Sequence, residues 1–227
     1  APITISTPGR YYLARNLSST VVPITINAPD VDLDLRGFEV AYAGVVNDNT
    51  RAGIIIEDGA VARVRVHNGS IKSTSAGVRA VFDSAGSTPG ASDLTIENVR
   101  IDSTADSIDL ERSPNVLIRE CVVKQTGDDA ISVSGSAVIE DCAISGGSTG
   151  IQSTGGAVIR NCTISNVTEG IFSIGGVVEN CVINATATGI RANALISNVT
   201  VTGTTTAGLN LTGGGQVIGC TINAAGG

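Results

Sequence analysis

The chain has 227 residues, 14 Lys and Arg against 21 Asp and Glu, and a formal net charge of −7. That balance excludes a nucleic-acid binder, which needs clustered positive charge, and no apolar run approaches the 18 or so residues of a membrane-spanning helix. Aromatics are only 3% of residues, with 28 Gly and neither Met nor Trp, so any core is built from Ile, Val, Ala and Thr, residues that favour strands.

Residues 1–36 read as short strands split by turn residues. Ile3-Thr4-Ile5 is followed by Pro8-Gly9, Tyr11-Tyr12-Leu13, Ile24-Thr25-Ile26 and Val31-Asp32-Leu33-Asp34-Leu35-Arg36-Gly37. They are expected to cap the N-terminal end of one domain spanning 1–227, with coils from 37 onward. Extra length near 41–52 and 83–93 predicts loops that form one wall of a groove.

A period near 20 governs the rest. Cysteines stand at 121, 142, 162, 181 and 220, and Val199 fills the gap in the last, doubled step. The register extends back to Val99, then to Gly69 and Gly37. Three apolar columns follow: Ile96 to Val217, Val99 to Cys220 and Ile101 to Ile222. A second strand in each repeat supplies Ile108, Ile131, Ile151, Ile171, Ile190 and Leu209. Short strands, Gly-rich corners and a 20-residue turn predict an all-β right-handed parallel β-helix, a solenoid of about nine coils with like residues stacked inside.

Two further columns are structural. His67, Glu97, Arg119, Glu140, Arg160 and Glu179 form an outward charge ladder that selects the coil register. Asn68, Asn98, Asn161, Asn180 and Asn198, just before the cysteine column, suit a left-handed corner. The cysteines are read as buried hydrophobes, because stacked rungs stand about 4.8 Å apart and a disulfide needs Cβ atoms at about 3.8 Å. One His cannot complete a zinc site.

Chemistry concentrates at one acidic corner. Asp102, Asp106, Asp109 and Glu111 lie on one coil and Asp128-Asp129 on the next. Asp106 and Asp129 each stand two residues before a strand Ile, so they stack, with Thr149 and Glu169 continuing the column. Stacked carboxylates repel, and one pKa is expected to rise. Phe172 and Arg191 follow their strand Ile and face outward, where they line a sugar groove in this reading.

Ser103-Thr104-Ala105-Asp106, Ser113-Pro114-Asn115 and Thr126-Gly127-Asp128-Asp129 resemble the core of the polygalacturonases, the family 28 glycoside hydrolases, over about residues 90–195. The resemblance implies a right-handed β-helix that inverts at the anomeric carbon, with Asp106, Asp128 and Asp129 as the catalytic trio. Asp129 and Asp106 would activate water and Asp128 would protonate the leaving oxygen. Beside this trio, Asp109, Glu111, Thr149, Phe172 and Arg191 are the expected substrate contacts, with a polysaccharide as partner and no metal assigned. The sequence departs from the pattern at Thr149, where the family has His, and at Asn193, where it has Lys. The opening residues are similar to the start of bacterial right-handed β-helix domains.

Three alternatives stay open. The resemblance to pectate-lyase-like β-helices makes a calcium-dependent lyase one of them, with Ca²⁺ on the aspartates and Arg191 or Lys124 as base. The missing His and Lys allow a carbohydrate-binding module without catalysis. The Gly226-Gly227 end, with no capping helix, allows a structural module that associates end to end at its C-terminal coil. The expected location is extracellular or periplasmic.

Overall fold

The computed structural model describes residues 1–45, 51–57, 61–80, 90–125 and 127–223. Most of the two expected loops lies outside them, and their edges at 41–42, 52 and 92–93 are strand. No helix among the described residues is long and apolar enough to cross a membrane.

All strands belong to one parallel β-solenoid of about ten turns. Each turn contributes three short strands, and like strands pair into three ladders. The first stacks Tyr11, Leu33, Val66, Ile96, Ile118, Ile139, Ile159, Val178, Ile196 and Val217. The second stacks Leu17, Val40, Ile71, Ile101, Val123, Ile144, Ile164, Ile183, Val201 and Ile222. The third stacks Ile3, Ile24, Ile54, Val78, Ile108, Ile131, Ile151, Ile171, Ile190 and Leu209. Between the end rungs these side chains point inward into one continuous core from Ile5 to Val201, while Ile3, Val217 and Ile222 at the two ends are exposed.

The columns starting at Ile96, Ile101 and Ile108 are therefore the real ladders, and the cysteine column lies between the first and second, with two corrections. First, the strands over 3–34 pair in the same ladders as later coils, so they are coils rather than a separate cap, and this raises the count from nine. Second, Gly37 does not stand in the cysteine column. It is exposed, and the buried Leu35 fills that interior space instead. A side chain on Gly69, one coil on, would run into Leu35. The run from Asp34 to Glu39 is two residues longer than the matching run from His67 to Ser70, which is what a fixed-period alignment missed.

The corner between the first and second ladders is a column of left-handed residues. Asn68, Asn98, Asn161, Asn180 and Asn198 have φ between 50° and 58°, as Asn tolerates. Glu120 and Asp141 hold the same place, Glu120 with φ 55°. Glu lacks the short amide that makes this conformation cheap. Glu120→Asn is expected to stabilise the fold by about 0.5–1 kcal/mol, read as a higher urea midpoint with an unchanged slope.

The charge ladder also forms, though less exposed than its outward position suggests. Arg119 donates to Glu97 at 2.7 Å and Arg160 pairs with Glu140, and both glutamate side chains are under 15% exposed. Cys121, Cys142, Cys162 and Cys181 are free and buried. Each lies within hydrogen-bond reach of the carbonyl two residues back. The neighbouring thiols first, and then burial, push Cys142 and Cys162 up to about 12, so they act as inert core side chains.

Candidate active site

The third ladder carries the acidic corner. Asp106 precedes Ile108 by two residues and Asp129 precedes Ile131 by two. Ile108 pairs with Ile131, and Asp129, Thr149 and Glu169 continue as paired residues up the column. The stacking read from the sequence is thus present. The Asp129 backbone N–H donates to Asp106 Oδ1 at 3.0 Å. Carboxylate oxygens of Asp106, Asp128 and Asp129 all come within 4.8 Å of one another.

Acid and base in an inverting centre stand roughly 6.5–9.5 Å apart. This trio is tighter, and the reason is architectural. Asp106 and Asp129 occupy consecutive rungs, and strand spacing holds rungs about 4.8 Å apart.

Crowding and burial act on their protons. Burial first, then the charge of Asp109, raises Asp106 to about 7 against the opposing hydrogen bond from Asp129. Asp129 is raised by burial, partly offset by a hydrogen bond with Thr149. Asp128 is exposed. At neutral pH Asp106 is therefore about half protonated. The resemblance makes Asp128 the acid; burial makes Asp106 a second candidate for that role, because desolvation disfavours its charged form.

The surrounding residues are largely committed to one another. Asp109 is buried and takes Arg79 Nε at 3.0 Å. Its pKa is raised by burial and lowered by Arg79, with a net rise. Glu111 accepts from the Ser132 hydroxyl at 3.2 Å. Thr149 is buried beside Asp129, so it orients that carboxylate rather than presenting a hydroxyl to solvent. Arg191 makes two bonds of 2.8 Å to Glu169 and lays its guanidinium 4.3 Å from the centre of the Phe172 ring. Phe172 and Arg191 do face outward together, but a face of the ring is taken by the guanidinium. Phe172 thus supports Arg191 on one face of its ring, at the outward position expected to line a groove.

The proposed lyase bases fare no better. Arg191 is ion-paired and its pKa is raised by Glu169, the wrong direction for a base. Lys124 pairs with Asp102 and Ser145 on the second ladder, not on the ladder of the aspartates. His67 is likewise elsewhere, on the first ladder with Asp32 at 2.8 Å.

Sequence reasoning missed Arg79 as the partner of Asp109. The signal was present, since Arg79 follows Val78 as Asp109 follows Ile108. A 30-residue step between those coils hid it.

Compared with known proteins, residues 88–225 match the family described as "Right handed beta helix region". No curated protein matches the chain. Three solved structures are similar. An endo-xylogalacturonan hydrolase from Aspergillus tubingensis is 14% identical, with 99% of this chain and 85% of that one covered and a TM-score of 0.42. The catalytic unit of a GH87 alpha-1,3-glucanase from Streptomyces thermodiastaticus is 16% identical, with 98% and 62% covered and a TM-score of 0.36. The A-module of the Azotobacter vinelandii mannuronan C-5 epimerase AlgE4 is 10% identical, with 99% and 90% covered and a TM-score of 0.32.

Proposed function

The chain belongs to the family of right-handed β-helix regions, and we propose that this member hydrolyses glycosidic bonds in a polyuronate at the Asp106, Asp128 and Asp129 corner. One observation carries the reading: three carboxylates within 4.8 Å on the outer face, one of them held at about 7. Glycoside hydrolysis uses one protonated carboxyl to protonate the leaving oxygen and one carboxylate to act at the sugar carbon or on water. Burial gives Asp106 the first property. Asp129, fixed by Thr149, and the exposed Asp128 supply the second. The motif resemblance adds the substrate class, and such a substrate places the activity outside the cytoplasm.

A calcium-assisted lyase is the second reading, because oxygens this close together suit Ca²⁺, which takes carboxylate ligands at about 2.3–2.6 Å. It needs a base beside the cation, and neither Arg191 nor Lys124 fills that role. Release of reducing ends from a panel of polyuronates, with ultraviolet absorbance of unsaturated ends read in parallel and with Ca²⁺ added or chelated, separates the two. New reducing ends without unsaturation are expected, and chelation leaves the rate unchanged. Unsaturated ends would establish the lyase. Intact substrate with retained sugar binding would make the domain a non-catalytic carbohydrate-binding module. The anomer formed first, followed by NMR, tests whether the tight trio still inverts.

A further inference from the structure

A second cluster sits on the outer face of the first ladder, near its first rungs and away from the aspartate corner. Arg10 and Tyr12 alternate outward on one strand, paired with Asp32 and Asp34 on the next, which pair in turn with Arg65 and His67. Arg10, Tyr11, Tyr12, Asp32, Asp34, Arg36 and His67 line a cavity of about 220 Å³. That is below the range of about 300–1,000 Å³ for drug-sized ligands and suits one small ring.

The acids here are already engaged. Asp32 is bonded to His67 at 2.8 Å, and Asp34 accepts the Arg36 backbone N–H at 2.9 Å and the Asn68 amide. The cations are less so. Arg10 is 91% exposed and only 3.9 Å from Asp32. Arg36 lies with its guanidinium carbon 3.6 Å from the centre of the Tyr12 ring, and Tyr12 is 59% exposed. An exposed aromatic flanked by two guanidinium groups offers an apolar face to a sugar ring and planar forks to a carboxylate.

We infer that the Arg10–Tyr12–Arg36 cluster is a second, non-catalytic site that binds one uronate residue of an acidic polysaccharide. The ring lies against Tyr12 and the carboxylate is met by Arg10 and Arg36. The site would hold a long chain to the rod while the aspartate corner works elsewhere on it. It does not depend on that corner being catalytic, because its test reads binding.

The probe is an oligomer of galacturonate, titrated calorimetrically into the full chain beside its carboxyl-reduced, neutral counterpart. Tyr12→Ala and Arg36→Ala are the variants, with thermal melts confirming that both fold. The charged oligomer is expected to bind about tenfold more weakly to either variant, and added salt to weaken binding to the parent. Arg36→Ala is expected to leave binding of the neutral oligomer unchanged, whereas Tyr12→Ala weakens it through the lost ring contact. Isotherms of parent and variants that superimpose for the charged oligomer would overturn the site. So would an equal loss for the charged and neutral oligomers in Arg36→Ala, which would leave the arginine no role in meeting the carboxylate. Turnover, if present, is expected to be unchanged in both variants for substrates too short to reach from one site to the other.

Discussion

Asp106→Asn is expected to lower hydrolysis about 10²–10⁴-fold, the usual contribution of a positioned acid or base. The pH profile gives the role. A carboxyl held at about 7 that must donate its proton requires kcat/KM to fall as pH rises through about 7. If Asp106 were instead the base, kcat/KM would climb through the same range. Leaving groups separate the roles again. An aryl glycoside departs without a proton, so Asp106→Asn should lose far less on it than on a sugar–sugar bond. Asp129→Asn should lose as much on either. A profile flat through 7, with equal losses on both substrates, would remove Asp106 from the reaction.

The same shift has a consequence for stability. Asp106 binds its proton more tightly when folded than when unfolded. Its favourable contribution is therefore complete below about 4 and is lost as pH rises to about 7. Asp106→Asn removes a buried group that must ionise, so the variant is expected to melt higher than the parent above pH 7. The difference shrinks in acid. An inactive variant that is more stable at alkaline pH is the signature of a strained functional carboxyl, whereas a structural aspartate would lose stability on substitution.

The fold was legible because a solenoid writes its structure into its period. Ile96, Ile118, Ile139 and Ile159 recur because each rung must bury the same position against the next. Once the spacing is known, pairing follows. The reading failed where the period changed: at Gly37, where the turn is longer by two residues, and at Arg79, where a long step separates coils that are adjacent in space. The candidate site was half legible. Stacking of Asp106 on Asp129 follows from counting residues to the strand Ile, and so does the raised pKa. Which carboxyl holds the proton depends on burial, which a linear pattern does not contain. The same is true of Phe172 and Arg191. Their outward position was readable from alternation, but the choice of Arg191 to reach back to Glu169 and cover the ring is a matter of side-chain reach and competing partners.

Gly170→Ala is expected to destabilise the fold by about 1–3 kcal/mol, the ordinary penalty for forcing a methyl into a filled interior. Gly170 immediately precedes Ile171 of the third ladder, inside the strand Thr163–Glu179. A Cβ there would meet the Gly189 carbonyl oxygen of the next coil and the Ile183 methyl. Gly150 and Gly189 stand in the same relation to their own next coils, each facing a glycine carbonyl and an Ile or Val methyl. This column is empty of side chains because consecutive coils approach too closely there. The two aspartate coils differ, with Ser107 and Ala130 in the equivalent places, both buried. Ala130→Gly is accordingly expected to cost at least about 0.5–1 kcal/mol through backbone entropy, with the lost packing of its buried methyl added. Were Gly170 merely flexible, alanine would instead stabilise by about 0.4–1 kcal/mol by restricting the unfolded chain, so the sign of the shift in urea midpoint decides. Each coil touches only its neighbours, and the damage should be correspondingly local. Hydrogen exchange is expected to quicken over the coils from Gly150 to Leu209 while the rungs from Ile3 to Val78 keep their protection. The aspartate corner lies between these regions, so loosening that reaches Asp129 through Thr149 and Glu169 should lower the Asp106 pKa as water enters.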